Sequence, residues 1–357
     1  MKNFKKQFPL LEQYTYLNAA ASGLLSEALL DFRQEHDLDF LIGGSLFREQ
    51  RNEVFLLARK AVGGLFGCAP NLVALTPNFS LCFNLLMAGI DPSKKVLLLK
   101  NDYPAVNWTV TSRGFDVCYA EINEDLEKNI AEAVAKERPD IFAFSLVQYI
   151  DGIKMDQEFL KQLKSQYPAL LLFADGTQYC GTESFDFSTS ALDVLGASAY
   201  KWLNAGYGNG FFLFKDHMQE LFTSENLEVK ELQSRNKPYH GSFIGKFEPG
   251  HLDTLNFGSL KVAVDLIKQV GMEEIETRIK DLSKLAKQKL SEKGMLENSV
   301  VNRKQHSSIF NIKGDEKLFQ KFSGSRIICS QRGDGIRVSF NYFNTEADLD
   351  QLLKQIN

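Results

Sequence analysis

Short, purely apolar runs recur through the first two thirds of the chain, each closed by a charged or turn-forming residue. The runs at 94–100, 140–145, 170–174, 194–197 and 210–214 have the length and β-branched or aromatic content of buried strands. A shorter one at 71–76 leads through a turn into a helix starting near Asn78. Between the runs, apolar residues return with a helical period, as at 156–166. Strand-helix alternation of this kind predicts a mainly parallel sheet covered on both faces. Ahead of it, helical patterns run from Ser26 through Phe40 and again from 48 to Phe66, where Gly67 stops them. Behind it, a long helix is expected from Ser259. Two helical stretches then flank strand candidates at 307–312, 326–330 and 336–340, which predicts a small α+β lobe on a hinge near residue 260. The segment 233–245 is polar and unpatterned.

With 357 residues and 44% apolar composition, the chain can bury a large core as one two-lobed subunit. A net charge of -4 gives no basic footprint, so neither nucleic acid nor an anionic membrane is an expected partner. The first residues lack the apolar core of a signal peptide, and no run approaches the ~20 apolar residues of a membrane span, so a cytoplasmic location is expected. Cys68, Cys82, Cys118, Cys180 and Cys329 form an odd set without a Cys-x-x-Cys pair, which suits reduced thiols. The five histidines are scattered, and no metal site is expected.

The candidate chemistry starts at Lys201, in Ser198-Ala-Tyr200-Lys201-Trp-Leu-Asn-Ala-Gly206. It emerges just past a buried strand, where open α/β sheets hold their ligands. Desolvation there favours the neutral amine that attacks an aldehyde, which describes a Schiff-base lysine. Gly206, Gly208 and Gly210 do not make a dinucleotide loop, because a strand rather than a helix follows them. The run at 170–174 ends in Asp175, with Gln178 three residues on. A buried aspartate is costly unless paired. The ring nitrogen of pyridoxal phosphate (PLP) would be such a partner, and Gln178 has an amide that could reach the ring hydroxyl.

Asp175 to Gln178 followed by Ser198 to Lys201 resembles the class V branch of the fold type I PLP enzymes. That group holds class V aminotransferases, cysteine desulfurases, selenocysteine lyases, kynureninases and isopenicillin N epimerase-like proteins. The likeness runs from Tyr16 to the C-terminus, and Tyr200-Lys201-Trp202 with Val147-Gln148-Tyr149 look most like the kynureninases and epimerase-like members. The resemblance implies an α/β fold: a large domain with a mainly parallel seven-stranded sheet between helices, and a small C-terminal α+β domain. Expected boundaries are an N-terminal arm at 1–20, a PLP-binding domain at 21–258 and the small domain at 259–357.

The resemblance also implies roles for single residues. Asn78, Phe79 and Ser80 open a helix whose N-terminus can hold the PLP phosphate. Tyr103, stiffened by Pro104, takes the position that stacks on the ring, with Trp108 as a runner-up that otherwise reads as a half-buried packing residue. Ser198 and Tyr200 complete the cofactor set. Asn18 and Gln148 lie near the substrate, and Arg337 grips its carboxylate with two parallel hydrogen bonds. A loop at 250–258 reaches the other subunit of a homodimer and contacts its phosphate, although His251 stands where relatives carry Thr or Asn.

The implied reaction begins when an amino acid displaces Lys201 from PLP and the freed amine removes the Cα proton. Returning the proton to the cofactor carbon gives transamination, the leading expectation. Returning it to Cα gives racemisation, and losing a β-substituent gives a lyase. Desulfurases place a nucleophilic cysteine about fifteen residues before the arginine. Here Cys329 is eight residues before Arg337, in a strand-like run, so it reads as a packed cysteine. A non-catalytic PLP-fold binding protein is the alternative of another class, weakened by the presence of Lys201, Asp175 and Arg337 together.

Overall fold

Six of the seven strands in the central sheet are the apolar runs marked by the sequence. The computed structural model describes residues 4–50, 52–221 and 242–356. In chain order its strands are β1 (Thr15–Tyr16), β2 (Val73–Thr76), β3 (Lys95–Leu99), β4 (Asp116–Ala120), β5 (Ile141–Ser145) and β6 (Leu171–Asp175). They continue with β7 (Val194–Ser198), β8 (Gly210–Phe214), β9 (Ile309–Ile312), β10 (Ile327–Ile328), β11 (Ser330–Arg332) and β12 (Gly335–Ser339). The large sheet has the order β2-β8-β7-β6-β5-β3-β4. All its pairings are parallel except those of β8, which runs against both neighbours.

Burial on both faces explains why these strands read as unbroken apolar runs. On β5, Phe142 and Phe144 join one core cluster while Ile141 and Ala143 join the other, the period-two alternation of a pleated strand. The first face is covered by helices Asn52–Phe66, Gln157–Gln166 and Thr254–Val270, the second by Phe79–Ala88 and Pro104–Thr111. β4 is the seventh strand, missed because it is an edge strand paired only with β3 and leaves Asp116 and Tyr119 exposed.

A three-stranded antiparallel sheet, β11-β12-β9, lies in the C-terminal third. Its core includes Phe310, Val338 and Phe340, packed with Leu282 and Leu290 of helix Met272–Glu292 and with Leu349 and Leu352 of helix Glu346–Gln355. The N-terminal segment is stitched to this part, since β1 pairs in parallel with β10 and Asn18 bridges Ser339.

Three local expectations shift. The helix expected from Ser259 starts at Thr254, because Asp253 caps it by accepting from the Asn256 N–H at 3.1 Å. The helix expected to stop at Phe40 runs over Glu27–Gln50, with a break at Gly44 (φ 52, ψ -125). Trp108 is 71% exposed, so it is neither a ring-stacking residue nor a half-buried packing one. Of the polar segment 233–245, residues up to 241 lie outside the described residues. No helix among the described residues is long and apolar enough to cross a membrane.

Candidate active site

The parallel strands β5, β6 and β7 are neighbours, so their carboxyl ends bring Ser145, Asp175 and Ser198 to one edge of the sheet. A small pocket opens there, lined by Tyr103, Tyr149, Asp175, Thr177, Gln178 and Lys201 among others. Lys201 sits in the loop between β7 and β8. That loop is held by Asn204 N–H to the Lys201 carbonyl (3.1 Å) and Ala205 N–H to the Ala199 carbonyl (3.1 Å). It is braced from outside by the small-residue turn after β1, where the Gly23 N–H donates to the Tyr200 carbonyl at 2.8 Å. Only glycine fits, since a Cβ at position 23 would lie 2.0 Å from the Lys201 carbonyl oxygen.

Lys201 is 7% exposed, with its Nζ 5.8 Å from the centre of the Tyr103 ring and 5.6 Å from that of Tyr200. Burial is the main force holding its pKa below that of an ordinary lysine. Asp175 opposes that shift, while Arg337 and Arg332 add to it. An amine so placed is a nucleophile and base near neutral pH.

Asp175 is 5% exposed and accepts the Thr177 N–H at 2.8 Å. Burial pushes its carboxyl pKa up, Thr177 and Lys201 pull it down, and Asp102 raises it again. Asp102 is a second buried carboxylate, accepting from the Ser145 N–H at 2.8 Å and the Tyr103 N–H at 2.6 Å. Among the described residues no cation lies in ion-pair contact with either carboxylate.

Arg337 lies at the centre of β12 and is 3% exposed. One Nη donates to the Tyr149 carbonyl at 2.6 Å, and Nε has no partner in the protein. Burial, then Arg332, pulls its pKa down to about 10, so it remains a cation at neutral pH. Asn18 stands beside it: its Oδ1 accepts from the Ser330 hydroxyl at 3.0 Å, and Ser330 is the cross-strand partner of Arg337. Gln148 is buried in the loop before Tyr149. Tyr103 meets Tyr149 edge to face, with ring centres 5.3 Å apart.

At the far end, Asn78 caps helix Phe79–Ala88 by accepting the Leu81 N–H at 2.9 Å, while the Phe79 N–H goes to the Ser198 hydroxyl at 2.9 Å. Ser80 therefore offers the second N–H of the helix, which has no intrahelical acceptor, together with its own hydroxyl. Gln178 lines the cavity with both ends of its amide committed. Nε2 donates to the Ala20 carbonyl at 2.9 Å, and Oε1 accepts from the Trp202 indole at 2.8 Å, keeping one lone pair for a further donor. Tyr200 stacks on Tyr207 at 4.8 Å. His251 is exposed in the loop before helix Thr254–Val270 and does not line the cavity.

These features fit the group that the sequence implies. PLP carries a ring nitrogen that is cationic when protonated, an aldehyde and a phosphate. Asp175 is a buried carboxylate with no ion-pair partner and Lys201 a buried amine in the same pocket, while the helix end at Ser80 is joined to the strand end before Lys201 by the Phe79 N–H to Ser198 hydrogen bond and has N–H groups that suit a phosphate. Sequence reasoning gave no role to Asp102, Thr177, Tyr149 or Arg332. Thr177 ties the two key strand ends together, since its hydroxyl accepts the Ser198 N–H at 3.1 Å. Asp102, between Asn101 and Tyr103, was readable as a strand-end acid like Asp175, whereas nothing local marks Tyr149 as the carbonyl under Arg337.

Comparison with known proteins gives a consistent picture. The family model described as Aminotransferase class-V matches residues 16–352. The uncharacterized aminotransferase YcbU of Bacillus subtilis (strain 168) is 22% identical over 365 residues, covering 99% of this chain and 97% of that protein. Isopenicillin N epimerase of Amycolatopsis lactamdurans is 21% identical over 317 residues, covering 81% of this chain and 78% of the epimerase. Among solved structures, a C-DES mutant with glycine covalently linked to its PLP cofactor superposes with a TM-score of 0.87 at 18% identity, covering 98% of both chains. A cysteine desulfurase from Thermococcus onnurineus NA1 gives a TM-score of 0.83 at 15% identity, covering 99% of this chain and 96% of the other. Both structural likenesses speak to the fold.

Proposed function

The chain belongs to the class-V aminotransferase family, and on that premise we propose that it is a PLP-dependent enzyme that moves the amino group of an amino acid. One observation carries this reading: a single pocket brings together the buried Lys201 amine, with a depressed pKa, and the buried Asp175 carboxylate, which has no ion-pair contact, beside an arginine with an unpartnered N–H. Bound there, PLP would supply the aldehyde and the electron-withdrawing ring that make an amino-acid Cα proton removable. Asp175 would hold the positive ring nitrogen, and Ser80 with the helix N-terminus would take the phosphate. Ser198 fixes that helix end through Phe79. Tyr103, in the pocket wall, would lie against the ring. Lys201 would be the covalent attachment point, and its amine would take and return the proton at Cα. Arg337, helped by Asn18 and Gln148, orients the substrate carboxylate so that the Cα–H bond points toward Lys201. A persulfide route is disfavoured because Cys329 is packed in the small core, with burial pushing its thiol up to about 12.

The test is borohydride reduction of the protein incubated with PLP, followed by peptide mass mapping. The expected outcome is a pyridoxyl mass on Lys201 and on no other lysine. A label on Lys215 alone, or on none, overturns the assignment. A panel of amino acids scored for keto acid, ammonia and alanine then separates transfer from elimination.

The same reading includes a homodimer in which the loop 250–258 with His251 reaches the partner's phosphate. Leu41 and Ile42 support it: they are 81% and 79% exposed on helix Glu27–Gln50, apolar surface that a second copy would cover. It also divides the chain into an arm at 1–20, a large domain at 21–258 and a small one at 259–357. Support comes from the two sheets, which draw on strands from Val73 to Phe214 and from Ile309 to Ser339 without sharing any. Light scattering at low concentration checks the dimer, and an active monomer refutes the shared site.

A further inference from the structure

Arg337 has a second arginine for company. β11 and β12 form a hairpin closed by Gly333 and Asp334, with Gly333 at φ 57, where a tight turn takes glycine. Ser330 pairs with Arg337 and Arg332 pairs with Gly335. Directly paired residues share a face, and so do residues two apart on one strand. Arg332 and Arg337 therefore stand on the same face of the hairpin, as diagonal neighbours about 7–8 Å apart in such ladders, within reach of long side chains. That face borders the pocket: Arg337 donates to the carbonyl of Tyr149, which lines it, and the charges of both arginines reach Lys201, also in its wall. The hairpin tip rests against the cavity's rim: a Cβ on Gly333 would lie 3.3 Å from Ile150, next to Tyr149.

The two cations differ in setting. Arg337 is buried, with its Nε lacking a partner, whereas Arg332 is exposed and held by its backbone, its carbonyl accepting from Asn311 at 2.7 Å. No acid pairs with either guanidinium among the described residues. Placing two like charges together is unfavourable until anions arrive, so the geometry calls for two anionic groups, one deep and one shallow.

We propose that this site takes amino acids bearing a second acidic group on the side chain, with Arg337 on the α-carboxylate and Arg332 on the distal anion. This rests on the reading of Arg337 as the carboxylate anchor of an amino-acid enzyme. Arg332 is then a specificity-determining residue whose loss leaves mono-carboxylate binding unchanged.

Calorimetric titration of the full chain supplied with PLP tests this, with butyrate, succinate and glutarate as probes. Wild type should bind the better-fitting dicarboxylate about 10- to 100-fold more tightly than butyrate, as one more charge-assisted contact predicts. Arg332→Gln should abolish that preference and leave butyrate affinity intact, while Arg337→Gln should weaken all three. If Arg332→Gln weakens butyrate and the dicarboxylates equally, both arginines grip one carboxylate and the proposal fails. Equal binding of all three probes by wild type, or no binding of any, also overturns it. Circular dichroism of each variant separates loss of binding from loss of fold, and Arg332→Lys, which keeps the charge, should restore part of the preference. Lysine labelling by borohydride is independent of these titrations, so failure of the dicarboxylate preference leaves the Lys201 assignment standing, and the reverse.

Discussion

Gly23→Ala perturbs the Lys201 loop from outside without touching the cavity. Its effect is steric, because the Gly23 backbone does not lie in the left-handed region. The added methyl carbon would fall 2.0 Å from the Lys201 carbonyl oxygen and 2.8 Å from that of Tyr200, both main-chain atoms. Ordinary contact begins near 3.4 Å, so the two segments must part by more than about 1 Å. The Gly23 N–H to Tyr200 carbonyl bond, 2.8 Å long, lies in the same contact and weakens with it. Overpacking of this kind costs about 1–3 kcal/mol, and a lost hydrogen bond about 0.5–1.5 kcal/mol. The expected loss of apparent stability is therefore about 2–4 kcal/mol in urea unfolding. Because a misplacement of about 1 Å at reacting atoms costs on the order of 10²-fold, turnover and borohydride labelling of Lys201 should fall together. Gly324→Ala is the control: it ends helix Glu316–Gly324 with nothing within 4 Å of the place an added methyl would take, so stability should hold or rise slightly. A Gly23→Ala protein with wild-type unfolding and wild-type labelling would refute the view that this turn positions the lysine.

Asp175→Asn removes the buried charge facing the ring position. PLP affinity and turnover should each fall by about 10²-fold, the scale of breaking a buried charged pair, and an unchanged affinity would place the ring nitrogen elsewhere. The rate of adduct formation at Lys201 should rise with pH around a midpoint below the 10.5 of a free lysine, since burial favours the neutral amine. Arg337→Gln removes a charge that lowers this pKa, so the midpoint should move up. Asp175→Asn removes one that raises it, so the midpoint should move down. Shifts in the same direction would contradict the charge arrangement. Glu248→Ala takes a buried carboxylate from Arg59, itself 1% exposed, and frees the Leu75 N–H that Glu248 accepts at 2.7 Å. Stability should drop by about 3–5 kcal/mol in urea unfolding, and a near-neutral result would show the pair to be solvated.

The sequence alone determined which segments become the central strands, because a strand buried on both faces must be apolar at every position, and β3, β5, β6, β7 and β8 are nearly so. It also marked Lys201 and Asp175, since strand-end polar residues after such runs are costly unless used. Edge strand β4 escaped because one side of it faces water, and the start at Thr254 escaped because a cap depends on one aspartate's geometry. The contacts made across long separations were decided only by the tertiary structure. Gly23 buttresses Tyr200, Asn18 reaches Ser330, and Arg337 donates to the Tyr149 carbonyl. Arg332 reads locally as a surface arginine beside a turn. Only the register of β11 on β12 turns it toward the same face as Arg337, because which side a strand residue points to is fixed by its partner and not by its own identity.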